Sequence, residues 1–156
     1  MSFPTKDTTF GTIIYKNNKY DLLTNLLSKN EHQKINKYKK ENNCAVIMSP
    51  TGGSIFEWLI DDNKLYLISV KFKQHTDYTT NVIDKIFHTK KLLASWVNSE
   101  IKLIISKKEL GTDAQKKMII EREILIMNFQ NGILVNSTKE IEQYSSSSLK
   151  YYIDEE

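Results

Sequence analysis

Hydrophobic and polar residues alternate along much of this chain with a period of two, the period of a strand that buries one face. In the run 55–60, Phe56, Trp58 and Ile60 share one face, and Ile55, Glu57 and Leu59 the other. The turn Asp61-Asp62-Asn63-Lys64 leads into residues 65–72, apolar at both parities, which predicts a strand in mid-sheet or covered on both sides. Thr12-Ile13-Ile14-Tyr15, the turn residues Lys16-Asn17-Asn18-Lys19 and the apolar return over 20–23 predict a first hairpin. A rival reading makes Asp21 a helix cap, with Leu22, Leu23, Leu26 and Leu27 on one face. Residues 118–129 and 133–135 flank Gln130-Asn131-Gly132, and Asn-Gly is the favoured pair where two turn residues need positive φ. Residues 92–97 and 101–105, on either side of Asn98-Ser99, read as another tight hairpin. Residues 44–48 read as a short strand stopped by Ser49-Pro50-Thr51-Gly52-Gly53.

Helix-period signals are few. Thr80 or Asn81 can cap a short helix whose buried face is Val82, Ile83, Ile86 and Phe87. Residues 28–43 are Lys/Asn-rich, with only Ile35 and Tyr38 at helical spacing, and read as a solvated loop or a short surface helix. Residues 107–116 read as a polar connection through Gly111. The expected fold is mainly β (a β-rich α+β class): an antiparallel meander or curled half-barrel sheet with one or two short helices. Residues 1–156 form a single domain, with 144–156 set apart as a candidate appended interaction segment.

Composition narrows the class. Forty per cent hydrophobic and 26% charged residues are globular fractions. The lone Cys44 cannot form an internal disulfide, no apolar run approaches the ~18 residues of a membrane helix, and the N-terminal residues lack a signal-peptide pattern. The expectation is a cytoplasmic protein with no membrane partner. The net charge of +3 is unevenly spread. Residues 1–43 carry eight lysines and four acids, 44–120 eleven lysines and eight acids, and 121–156 three basic groups and seven acids. Arg122 is the sole arginine, and its bidentate fork is what phosphate and guanine contacts commonly use, so a nucleic-acid partner is not expected.

The chemistry-bearing residues form no recognised constellation. One cysteine and the histidines His32, His75 and His88, none at i, i+4 spacing, give no zinc set, and no cofactor or metal is expected. Cys44 opens an apolar run and reads as packing. No Gly-x-Ser-x-Gly elbow is present, and the Gly52-Gly53 turn lacks the Gly-Lys-Ser/Thr ending of a phosphate loop. His75 with Asp77 is the best acid–base pair for a hydrolase-type alternative. Tyr15, Tyr20, Tyr66 and Phe56 are the aromatics a single-stranded nucleic-acid binder would stack on. In Glu121-Arg122-Glu123, charge falls on a face otherwise apolar. A buried charge must be paired, so a salt bridge is predicted, with Glu57 as a partner for Arg122. A non-enzymatic binding protein is the expected class.

Several segments, in order, resemble a family of small uncharacterised bacterial proteins: Gly11-Thr12-Ile13-Ile14-Tyr15 with Lys19-Tyr20-x-Leu22-Leu23; Glu57-Trp58-x-Ile60-x-Asp62-Asn63-Lys64-Leu65-Tyr66-Leu67; Ala94-Ser95-Trp96-Val97; Glu121-x-Glu123; and Asn131-Gly132-Ile133. The resemblance spans residues 11–135, and its middle motif is the most specific. Asn98-Ser99-Glu100 departs from it, standing where such proteins carry a Gly-containing strand pair. The resemblance implies an immunity protein of a contact-dependent growth-inhibition or other polymorphic toxin–antitoxin system. Its partner is the cognate toxin C-terminal domain, with a nuclease as the expected class, and its role is a toxin inhibitor that occludes the active site. A basic nuclease site would favour acidic contacts, and the candidate toxin-binding residues are Asp61, Asp62, Tyr151, Tyr152, Asp154, Glu155 and Glu156. An acidic toxin would instead favour the lysine run 37–40.

Overall fold

The structure, a computed structural model, describes residues 8–42, 44, 53–74 and 77–145. The chain is mainly β, as its alternation predicts. Its strands are β1 Thr12–Tyr15, β2 Asn18–Leu22, β3 Ser54–Asp61, β4 Lys64–Gln74, β5 Asp77–Tyr78, β6 Leu92–Leu93, β7 Glu100–Thr112, β8 Met118–Gln130 and β9 Ile133–Ser145. The helices are α1 Lys29–Glu41 and α2 Ile83–Phe87.

The strand order β3-β1-β2-β7-β8-β9-β4, with β3 also pairing β4, closes the sheet on itself. All pairs are antiparallel except β1 with β3, which run parallel, so the sheet is mixed rather than a pure meander. Closure is narrow. β4 meets β9 at Lys64↔Ile133, through hydrogen bonds from Leu65 N–H to Gly132 O (2.8 Å) and Leu134 N–H to Asn63 O (2.7 Å). β2 meets β7 at Asp21↔Ile104 and Leu22↔Leu103. Three connections turn on consecutive residues of positive φ, at Lys16-Asn17, Asp62-Asn63 and Asn131-Gly132, as two-residue hairpins with right-handed twist require. At Gly132 the requirement is doubled: φ is +77°, and a Cβ there would stand 2.6 Å from Ala94 O.

Inside the closed end lie Ile13, Leu22, Phe56, Trp58, Leu65, Leu67, Val70, Phe72, Ile101, Leu103, Met127 and Phe129, all buried. The mixed parity of 65–72 has a simple cause. A bulge at Ile68, opposite the Glu57/Trp58 step of β3, shifts the alternation, so Leu65 and Leu67 before it and Val70 and Phe72 after it are all buried in the one core. Asn81 supports the bulge, accepting from Val70 N–H (2.9 Å) and donating to Ile68 O (2.8 Å). The same Oδ1 accepts from Ile83 N–H (3.1 Å) and so also starts α2.

The polar stretch read as loop or short helix contains α1, a 13-residue helix. Glu31 reaches back to accept from the Ser28 N–H (3.2 Å) and hydroxyl, a capping box that fixes the N-terminus. Ile35 is buried and Tyr38 packs its ring 5.7 Å from that of Phe72.

Four expectations are corrected. The rival helix on Asp21 does not form, because residues 18–21 pair with β1 and Leu22 with β7. Residues 92–97 do not pair with 101–105: only Leu92 and Leu93 are strand, they pair with β4, and 94–99 turn under Trp96, whose indole N–H donates to Leu26 O (2.7 Å). The polar connection 107–116 is largely strand, since β7 runs to Thr112 and the turn is only the segment around Asp113. The strand after Gly132 does not stop at Val135 but runs to Ser145, taking in Tyr144 from the segment set apart as a tail. The predicted strand 44–48 falls outside the described residues apart from Cys44, whose N–H bonds Lys39 O just past α1.

Candidate functional site

β7, β8 and β9 each carry 13 residues, and their distal halves run on beyond the closed end. There the alternation of β8 inverts. Leu125, Met127 and Phe129 are buried in the core cluster, whereas Ile120, Arg122 and Ile124, of opposite parity, are buried outside it. Arg122 is held at its place in the ladder opposite Glu142. Its Nε donates to Glu142 Oε1 at 2.6 Å, Nη2 stands 2.5 Å from the same oxygen, and the guanidinium lies 4.7 Å from the Tyr144 ring centroid. The predicted pairing of a buried charge is therefore met, but not by Glu57, which sits on β3 and takes Lys19 at 2.9 Å.

Carboxylates on the other face are also engaged. Glu121 accepts from Gln143 Nε2 (3.0 Å) and pairs with Lys108 (2.9 Å), and both hold its carboxyl below the usual carboxylate range. Glu123 faces Lys139 at 3.7 Å. In the β7–β8 turn, Asp113 accepts from the N–H groups of Lys117 (2.9 Å) and Gln115 (2.8 Å) and from Ser145 Oγ (3.1 Å). Those bonds, with Lys117 nearby, hold it low as well. In Glu121 and Asp113 these partners favour the ionised carboxylate.

Of the sequence-predicted contact residues, Asp61 and Asp62 lie exposed on the β3–β4 turn, beside the start of β9. Lys91 Nζ donates to Asp61 Oδ2 at 2.8 Å while lying 4.2 Å over the Tyr66 ring. The pair holds the Asp61 carboxyl below its ordinary range and the Lys91 ammonium above its own. Tyr151, Tyr152, Asp154, Glu155 and Glu156 lie outside the described residues, as does His75. Asp77 is exposed on the two-residue β5. Of the four aromatics named for stacking, Phe56 is buried, Tyr15 and Tyr20 are partly buried and pack against the core, and Tyr66 lies under Lys91. The lysine run is split: Lys37 and Lys40 are exposed, but Lys39 is turned inward with its ammonium 5.6 Å from the Phe72 ring, and burial pushes its pKa down against an opposing effect of Cys44.

Two open clefts lie among the described residues. One of about 620 Å³ lies where β2 and β7 diverge, lined by Asn18, Tyr20, Ile105 and Lys107 among others. Another of about 350 Å³ lies between α1 and α2, with Lys34, Lys37, Lys85, Tyr38 and Phe87 around it. Among the described residues no cluster of His, Cys, Asp and Glu could hold a metal ion, and no helix is long and apolar enough to cross a membrane.

Sequence reasoning missed Glu142, Tyr144 and Lys91. Only a strand carried past Val135 could have found the first two, and nothing local marks Lys91 as the partner of Asp61. Compared with known proteins, the chain matches no family model, no curated protein and no solved structure.

Proposed function

We propose that this chain is an immunity-type binding protein that neutralises a cognate toxin domain by covering it. One observation supports the reading: four carboxylates at or near the surface are already held by partners. Asp61 is tied to Lys91, Glu121 to Lys108 and Gln143, Glu123 to Lys139, and Glu142 to Arg122. Charges oriented before a partner arrives lose little side-chain freedom on binding, and they steer encounter with a surface of opposite sign. Catalytic carboxylates, by contrast, need a pKa poised near the working pH, and these are held low or ion-paired.

The turn Asp61–Asp62, with the acidic residues 154–156, is the proposed contact for a basic nuclease site. Stoichiometric occlusion would bury roughly 1,200–2,000 Å². The test is binding of a purified toxin domain to the wild-type chain and to the variant D61K/D62K. The reading expects one-to-one binding and at least about a tenfold slower association for the variant, with an unchanged melting temperature. Unaltered association would remove the turn from the interface.

A further inference from the structure

β9 leaves the closed end with β8 on one side and, among the described residues, no strand on the other. β4 touches it only at Ile133 and then runs past the β8–β9 turn, away from the rest of β9. Residues 135–141 therefore present an open row of backbone donors and acceptors, the feature through which strands recruit a further chain. Exposed apolar side chains stand on that row, Val135 at 53% and Ile141 at 65% exposure. The ladder with β8 is regular from Asn136 to Ser145, after one bulge at Val135. The outer strand at the other side of the meander is guarded: β7 bulges at Ile105 and again at Leu110, and carries Lys107, Lys108 and Glu109 between them.

We propose that residues 135–141 of β9 pair antiparallel with the same residues of a second copy of this chain, about a two-fold axis at Thr138. A two-fold axis normal to the sheet keeps every side chain on its own face, so one residue must oppose itself, and that residue fixes the register. Centring on Lys139 or Glu140 sets like charges against each other. Centring on Ser137 sets Lys139 against Val135 and Glu140 against Leu134. Centring on Thr138 opposes Thr138 to itself, Lys139 to Ser137 and Glu140 to Asn136, and brings Ile141 to each end of the seam beside the bulge residue Val135 of the other copy. Hydroxyl and apolar pairs of this kind stabilise neighbouring strands, and like-charge pairs destabilise them. The seven-residue seam is smaller than a standard interface, so dissociation in the micromolar range is expected. The dimer stands or falls independently of toxin binding, because it is read without toxin present.

Sedimentation of the full chain from roughly 1 µM to 1 mM, the range that brackets such a constant, should show a monomer–dimer equilibrium. The V135K/I141K variant, with an unchanged circular dichroism spectrum, should dissociate at least about tenfold more readily. Thr138→Cys should form a covalent dimer on mild oxidation, because antiparallel neighbours lie at disulfide spacing. Asn36→Cys, on the exposed face of α1, should not. A strictly monomeric chain, a dimer indifferent to V135K/I141K, or equal cross-linking at both cysteines would overturn the proposal.

Discussion

The two ends of the β7–β9 meander are built from the same three strands and are held by different forces. At the closed end, Ile101, Leu103, Met127 and Phe129 are fully or almost fully buried in one apolar core with Trp58 and Phe72. At the distal end, β7 is exposed from Ser106 to Thr112, and the backbone ladders and the buried Ile120 and Ile124 are joined by cross-strand ion pairs and hydrogen bonds around Arg122, Glu121 and Asp113. Burial of apolar area is worth about 25 cal/mol per Å² whatever its direction, whereas exposed ion pairs contribute about 0–1 kcal/mol each. The closed end therefore carries the stability. The distal end carries oriented charge at modest stability.

Substitutions can break this contrast in graded steps. The largest effect belongs to the core: Phe72→Ala should cost about 3–5 kcal/mol in chemical denaturation, from lost transfer energy and the cavity left under Tyr38. A cost below about 1 kcal/mol would mean that the closed end is not the stability centre.

Next comes Arg122, the buried cation of the distal end among the described residues. Arg122→Met leaves Glu142 without its guanidinium and should cost about 2–3 kcal/mol, less than for a fully buried pair because the Glu142 side chain is 24% exposed. The double variant R122M/E142L should recover most of that loss, since removing both charges removes the unpaired one. Additive losses would show that packing on Tyr144, not the ion pair, is what Arg122 supplies.

The smallest effect is one of pH. Hydrogen bonds to its carboxylate hold Asp113 below the ordinary aspartate range, so folding favours the ionised form. Its contribution is complete above the unfolded-state pKa of about 4 and fades as pH falls through the lower folded value. The amides of Gln115 and Lys117 should titrate below that ordinary value in NMR spectra, and Asp113→Asn should abolish the shift. Titration of both amides at the ordinary value would deny the turn its anchor.

How much of this was legible in the sequence follows the same division. Where strands enclose the core, period-two alternation and the Asn-Gly and Asp-Asn turns mark the elements, and β3, β4, the first hairpin and the start of the last hairpin were all readable. The bulge at Ile68 was not, because a parity shift and a strand buried on both faces leave the same apolar run. At the distal end both faces of β7 and most of β9 are polar, so residues 107–116 and those after Val135 read as connection and tail. Arg122 was recognisable as a charge needing a partner. Counting a strict ladder back from Asn131-Gly132 sets it opposite Ile141, and only the bulge at Val135 brings Glu142 into place. The candidate site was legible in part: Asp61 and Asp62 lie on the exposed turn expected for them, but the Lys91 contact depends on β6 lying beside β4, which nothing in the local sequence announces.

The central claim, that this surface exists to cover a toxin, is tested most directly by growth. The toxin domain encoded beside this chain in its native locus is induced in cells with and without it. The account predicts arrest without the chain, rescue with it, and one-to-one co-purification of the two proteins. Arrest that the folded, expressed chain fails to relieve, or a neighbouring domain that is not toxic, would contradict it.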